Sequence, residues 1–326
     1  MSSLALLDTS LDSTNDGDGI IVNSITALFP ELLDLPRVPT HRLPRASELA
    51  IAENAAALVL TGTNILSAQL GKYGQWPLDK ATISAYEGKI VFLGVGWWQY
   101  QNRVSRRARK LLSGLVHPAI EVAARDEYTR VKLESLGIPA VNTNCPTMWK
   151  LPERLEPLTG SGECVFTVTD YKPDLAQDTA ILGLLSQRYD LVHIWPQGDN
   201  DLAYLAKFDL PTNSLVTGRG LPALESALKG RDYVGTRLHA GVRASQLARP
   251  SLILAVDNRG IEIGKDSNLR VVPRSSPRAQ LEAALSLHAS TSAALTLNSA
   301  AAQAWSEKFR AVITESLPVR DVTVFN

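Results

Sequence analysis

Four short polar clusters carry the groups that could do chemistry in this chain. They are Asn15 to Gly19, Arg125-Asp126, Arg237-Leu238-His239 and Asp257-Asn258-Arg259. Each follows a short apolar run, and three of them supply arginine. A guanidinium meets phosphate or carboxylate with two parallel hydrogen bonds and keeps its charge when desolvated. Gathered in one cleft, Arg125, Arg237 and Arg259 would suit a small dianion or trianion. The competing arrangement pairs Arg125 with Asp126 and Arg259 with Asp257. His239 opens a helix just after a strand, where backbone N–H groups favour anions. Asp18 stands between Gly17 and Gly19, which permit close approach of a ligand. Its carboxylate is a candidate proton acceptor for a hydroxyl. It is equally a candidate N-cap for a helix starting at Ile20, and the two roles are compatible.

Other groups are less informative. His41 and His117 sit beside loop residues, His288 falls late in a helix, and His193 alternates along a strand. Trp97, Trp98 and Tyr100 could stack on a sugar ring or pack in a core or between domains. Gly17-Asp-Gly19 and Gly94-Val-Gly96 do not complete a dinucleotide fingerprint. There is no phosphate loop, no serine elbow and no histidine pair at metal spacing. A metal-free, anion-binding transferase survives this elimination best. Cys145 and Cys164 form no disulfide framework, which suggests a reducing compartment.

The elements that must position these groups follow a β–α rhythm. Apolar runs at Leu4–Leu7, Ala57–Leu60, Lys89–Leu93 and Ile120–Ala124 read as strands. The pattern breaks over Thr147 to Gly162, with Pro152, Pro157, Gly160 and Gly162, and then restarts. Cys164–Val168, Leu191–Trp195, a weaker Leu215–Thr217, Tyr233–Val234, Pro250–Val256 and Leu269–Val272 read as a second set. With 326 residues, two cores are the natural expectation. The predicted fold is α/β, with two doubly wound Rossmann-like domains facing a cleft, over residues 1–150 and 163–326. The last Ala-rich helix, about 295–315, is a candidate to cross back onto the first domain. In such sheets ligands gather beyond the carboxyl ends of the strands, which is where the four clusters lie.

Lys plus Arg and Asp plus Glu both number 33, so nothing favours a nucleic-acid partner. One dense basic cluster stands out: Arg103, Arg106, Arg107, Arg109 and Lys110. It reads either as a solvated helix face or as a patch near the cleft mouth that faces phosphate or anionic lipid. The opening residues lack a basic leader with a long apolar run, so no secretory signal is expected. No apolar stretch approaches the ~20 residues of a membrane span. The expected location is cytoplasmic, with peripheral contact at the inner face of the membrane as a further option.

Gly235-Thr-Arg-Leu-His-Ala-Gly-Val-Arg-Ala244, followed by Arg249-Pro-Ser-Leu-Ile-Leu-Ala-Val-Asp-Asn-Arg259, resembles the signature of polysaccharide pyruvyl transferases. Asn15-Asp-Gly-Asp18 resembles the family's Asn-x-Gly-Asp turn, and Ala124-Arg-Asp-Glu-Tyr-Thr129 its Arg-Asp helix start. The resemblance implies a GT-B-like fold, phosphoenolpyruvate as donor and no further cofactor. It implies that Arg237, Leu238, His239, Arg259 and Arg125 bind the donor. It also places Asp18, with Asn15, on the side of the acceptor, where Trp97 and Trp98 are candidate stacking surfaces. The acceptor implied is a sugar, free or as a lipid-linked oligosaccharide, in exopolysaccharide or cell-surface glycan synthesis. The working assignment makes His239 the acid or phosphate contact, Asp18 the base and Arg125 a third catalytic group. Departures cluster in the first domain: Thr61-Gly-Thr-Asn64 replaces a glycine run, Val95-Gly-Trp-Trp98 a glycine- and proline-rich turn, and Cys145-Pro-Thr147 lacks an aspartate. A nucleotide-sugar glycosyltransferase and a non-catalytic relative are the competing readings.

Overall fold

The computed structural model describes residues 4–72, 74–160 and 162–316. The outermost residues of both expected domains, 1–3 and 317–326, lie outside the described residues.

Two parallel six-stranded sheets form the frame. The first contains β1 (Leu4–Asp8), β2 (Arg37–Pro39), β3 (Ala57–Thr61), β4 (Ile90–Val95), β5 (Val122–Ala124) and β6 (Ala140–Asn142), in the order β2-β1-β3-β4-β5-β6. A short strand β7 (Arg154–Leu155) follows. The second sheet contains β8 (Glu163–Thr167), β9 (Leu191–Ile194), β10 (Ser214–Val216), β11 (Asp232–Gly235), β12 (Ser251–Ala255) and β13 (Val271–Pro273), in the order β10-β9-β8-β11-β12-β13. A final short strand is β14 (Ala293–Ala294). The helices are α1 (Asp16–Leu28), α2 (Ala46–Asn54), α3 (Lys80–Tyr86), α4 (Arg106–Leu115), α5 (Glu127–Ser135), α6 (Leu175–Arg188), α7 (Asp201–Leu205), α8 (Leu221–Ala227), α9 (Leu238–Gln246), α10 (Asn258–Ser267), α11 (Arg278–Ser290) and α12 (Ser299–Ser316).

Why these segments become strands is visible in their burial. All of β1, β3, β4 and β12 is buried. A parallel strand covered on both faces needs an unbroken apolar run, not an alternating one. Strand order then decides where ligands go. The chain reverses direction across each sheet between neighbouring strands, at β1/β3 in the first and β8/β11 in the second. Crevices open at such switch points beyond the carboxyl ends.

Several elements escape the sequence pattern. The short edge strands β2 and β6 and the helices α2 and α3 are absent from it. So is α10, whose run Asn-Arg-Gly-Ile-Glu-Ile-Gly holds two glycines that weaken a helical signature. Its limits are nonetheless written in the sequence. Asp257 caps its start through the Arg259 N–H at 3.0 Å, and Asn268 ends it in the left-handed region at φ 58°. The first helix begins at Asp16, four residues before the expected Ile20. Asn15, not Asp18, is its N-cap, accepting from the Gly17 N–H at 3.2 Å.

The chain crosses between the halves twice, and the crossings are laced together. The first crossing contains β7 and the second β14, and the two pair antiparallel, Ala293 with Leu155 and Ala294 with Arg154. The Leu295 N–H donates to the Glu153 carbonyl at 2.8 Å. Arg270 donates to the Leu155 carbonyl at 3.1 Å and to the Thr291 carbonyl at 2.7 Å, so one guanidinium clamps both. Beyond the second crossing, α12 lies on the first sheet's helical layer. Trp305, Phe309, Val312 and Ile313 join Leu6, Ile25, Phe29 and Val59 in one core.

Candidate active site

The two switch points face each other, and the sequence clusters at their strand ends form the walls of the space between. From the second sheet, the turn after β11 carries Arg237 and His239. Arg237 is almost fully buried. It donates through Nε to the Val168 carbonyl at 2.9 Å and through Nη2 to Asp170 at 2.8 Å and to Asp201. Asp201 is held in turn by the backbone N–H groups of Gln197 and Gly198, at 2.9 and 2.8 Å. After β12, Arg259 grips Asp257 through Nε at 3.0 Å and through Nη2 at 2.6 Å, and also donates to the Tyr171 hydroxyl. The Tyr171 ring lies between the two cations, 5.2 Å from the Arg237 guanidinium carbon and 5.5 Å from that of Arg259.

From the first sheet, the loop after β1 carries Asn15 and Asp18. Asn15 accepts from Gln197 Nε2 at 2.7 Å, and the Asp16 N–H donates to the Gln197 carbonyl at 3.0 Å, so this loop is stitched to the opposite half. Asp18, freed from capping, accepts from the Ser13 hydroxyl at 2.6 Å and lies 3.5 Å from His41 Nε2. His41 is the functional neighbour that the sequence did not single out. Burial opposes its protonation, but the hydrogen bond and charge of Asp18, with help from the Gln75 carbonyl, outweigh it and raise His41 above its ordinary value.

Two connected spaces result. The larger, about 510 Å³, is lined by Asn15, Asp18, His41, Tyr171, Arg237 and Arg259 among others. That lies within the usual range for small-molecule sites, about 300–1,000 Å³. A much smaller recess, about 20 Å³, lies against Leu238, His239, Asp257 and Arg259. It has room for about one water molecule.

The structure corrects the expected convergence of three free guanidiniums. Arg237 and Arg259 do meet, but each already holds a carboxylate. Arg125 does not line either space. It is buried behind the site, bonded to Asn64 at 2.6 Å and to Asp126 at 3.3 Å. The neighbour pairs Arg125–Asp126 and Arg259–Asp257 are both formed. Arg125 therefore acts on the site through its field, not by contact. The departure at Thr61–Asn64 has a local reason here, because Asn64 is what receives the Arg125 guanidinium. Trp97 is also corrected. It is a core residue that faces no ligand space, packed among Leu66, Phe92 and Leu112 with its indole N–H on Gln101 at 3.0 Å. Trp98 is half-buried and lines neither space.

Gly96 lets Arg125 take its place. A Cβ there would stand 2.2 Å from the guanidinium carbon. Arg125 is locked by Asn64 and Asp126 and cannot swing away. Gly96→Ala is expected to cost about 1–3 kcal/mol, the usual penalty of overpacking, read as a lowered midpoint in urea unfolding.

His239 is buried, with its Nε2 3.9 Å from the Cys145 sulfur. Burial, and then the positive charges of Arg125 and Arg259, push it down to about 3, against a smaller opposing effect of Asp257. Burial likewise works against ionisation of Asp257, but the charge and hydrogen bonds of Arg259 outweigh it and hold Asp257 at about 2. At neutral pH the recess thus holds a neutral imidazole beside an Arg–Asp pair. The linkage follows. Between about pH 3 and the ordinary histidine value, the unfolded chain binds the proton that the folded chain refuses, so stability falls as pH drops through that window. His239→Gln should flatten that part of the stability–pH curve, measured by urea unfolding from about pH 7 to about pH 4.

The model of the family described as polysaccharide pyruvyl transferase matches residues 15–258. The chain belongs to that family. The match runs from Asn15 in the cleft loop to the first residue of α10, so it takes in both switch points and stops one residue before Arg259. Membership in the family indicates a transferase. No curated protein matches the chain. Among solved structures, the glycosyltransferase SnogD from Streptomyces nogalater is similar at 14% identity over 98% of this chain and 97% of that one, with a TM-score of 0.37. That likeness is too loose to carry an argument, and the two facing parallel sheets stand on their own strand order. Among the described residues no helix is long and apolar enough to cross a membrane.

Proposed function

We propose that this member of the polysaccharide pyruvyl transferase family moves a pyruvyl group from phosphoenolpyruvate onto two hydroxyls of a sugar, forming a cyclic ketal. The observation that supports this most is the division of the 510 Å³ cleft. One wall has two arginines bridged by Tyr171, suited to a carboxylate and a phosphate. The other has a carboxylate–imidazole pair, suited to a hydroxyl.

The chemistry needs one proton delivered and two removed. A proton added to C3 of the enol makes C2 electrophilic. A sugar hydroxyl oxygen bonds to C2 and gives up its proton. The C2–O bond to phosphate breaks, and phosphate leaves with the electron pair. The second hydroxyl then bonds to C2, loses its proton and closes the ketal. Of the two protons released, one balances that taken up at C3 and the other leaves with phosphate. Arg237 and Arg259 stabilise the departing charge. Each keeps an Nη1 with no protein partner among the described residues. Asp18, supported by His41, is the base for the sugar hydroxyl. His239 is neutral in the free protein and first serves as a hydrogen-bonding contact. The acid role requires a donor phosphate that reaches the small recess His239 lines, where it relieves the burial as well as the repulsion from Arg125 and Arg259 and so raises the proton affinity of the imidazole.

Asp18→Asn keeps the shape and removes the base, so kcat should fall by about 10²–10⁴-fold. The assay is phosphate release from phosphoenolpyruvate with a panel of nitrophenyl and lipid-linked sugars, with the ketal confirmed by mass. Turnover of a nucleotide sugar instead, with phosphoenolpyruvate left intact, would move the chain to the glycosyltransferase reading. Full ketal formation by His239→Ala would remove His239 from the acid role.

A further inference from the structure

The basic cluster expected near the cleft mouth lies on α4 and lines neither cleft space; Arg106, Arg107 and Lys110 border a separate groove. The cluster residues Arg106, Arg107, Arg109 and Lys110 are exposed, and Arg103 is exposed just before α4. The helix carries no acidic residue. The other arginines of this half, Arg37, Arg42, Arg45, Arg125 and Arg130, meet carboxylates. Among the described residues none of the five cations of this cluster does, and Arg109 donates to the Leu136 carbonyl at 3.0 Å. In a chain whose formal charge is zero, that is a concentrated local excess.

The cations rim an apolar trough. Between α3 and α4 an open groove of about 490 Å³ runs along Ile83, Leu111, Gly114 and Leu115, flanked by Arg106, Arg107 and Lys110. Glu87 is the one acidic residue on its edge. The trough is open at Gly114, where a Cβ would meet nothing within 4 Å. A cationic rim over an apolar floor matches an anionic lipid, with head-group phosphate outside and methylenes within. A nucleic acid would use the rim but not the floor, and no aromatic residue lines the groove for bases to stack on.

We propose that α4 and the α3–α4 groove dock this protein on an anionic lipid bilayer. Basic side chains on such a helix gain from the surface potential, and the arginine and lysine stems extend the apolar contact. The proposal does not depend on the identity of the donor or the reaction.

Vesicle flotation tests it, using phosphatidylcholine alone and phosphatidylcholine mixed with phosphatidylglycerol. The full chain should float with the anionic vesicles and not the neutral ones, and added salt should weaken the binding. Removing three rim charges together, R106Q/R107Q/K110Q, should weaken it about a hundredfold. Gly114→Glu places a carboxylate in the trough at a site with open space and a better helix former. It should fold with an unchanged melting temperature and bind anionic vesicles at least about tenfold more weakly. Equal flotation with neutral vesicles would overturn the proposal, as would unchanged binding of the triple variant. Heparin binding as tight as vesicle binding, with Gly114→Glu without effect, would show a general polyanion surface and overturn it too.

Discussion

Arg237→Ala is expected to lower pyruvyl transfer by at least about 10²–10³-fold, the scale seen when one donor to a developing anion is removed. It should also destabilise the fold by about 3–5 kcal/mol, the usual result of breaking a buried pair from one side. Both effects come from one geometry. The Arg237 guanidinium answers Asp170, Asp201 and the Val168 carbonyl at once. Truncation leaves Asp201, which is fully buried, without its cation. Arg237→Lys separates the two effects. It restores a charge near Asp201 and should recover part of the stability, but an ammonium cannot reproduce the planar fork, so activity should stay low. Phosphate release and urea midpoints on the two variants provide the readings. Wild-type turnover in Arg237→Ala would remove the arginine from the donor site.

Trp305→Ala should lower stability by about 3–5 kcal/mol. The indole is almost wholly buried, stacks on Phe309 with ring centres 5.2 Å apart, and meets Trp149 edge-on at 6.4 Å. Its N–H donates to the Glu121 carbonyl at 2.8 Å. The truncation opens a cavity and orphans that carbonyl. The change should appear as a lower unfolding midpoint in guanidinium, while KM for phosphoenolpyruvate stays at the wild-type value below the transition. An unchanged midpoint would mean that α12 does not brace the first sheet.

The sequence speaks most clearly about the second sheet, and physical chemistry explains why. Strands covered on both faces, such as β12, read as unbroken apolar runs. The Arg-Leu-His turn sits where a strand meets a helix, so both its neighbours announce it. The first half is harder. Its edge strands β2 and β6 have three residues each, too short for any period to show. Trp97 misleads because an aromatic residue after a strand has the same composition whether it faces a ligand or a core. Arg125 misleads for a related reason: a residue beyond a strand end can point into the cleft or back beneath it, and only the partner at Asn64 decides. His41 is silent in the sequence because its importance depends wholly on Asp18, which lies far away in the chain. Tyr171, Asp170 and Gln197 carry no motif. Their one available signal is position, directly after β8 and β9 beside the switch point.

The paired crossings β7 and β14 have a mechanical consequence. A lone linker would let the halves swivel about every axis. Two antiparallel segments laced side by side and pinned by Arg270 instead tie the halves along one line. The cleft loop is tied across as well, through Gln197 to Asn15 and Asp16. Anchored at both places, the Asp18–His41 wall is held in register with the arginine wall, so an incoming ligand meets a preset spacing between them.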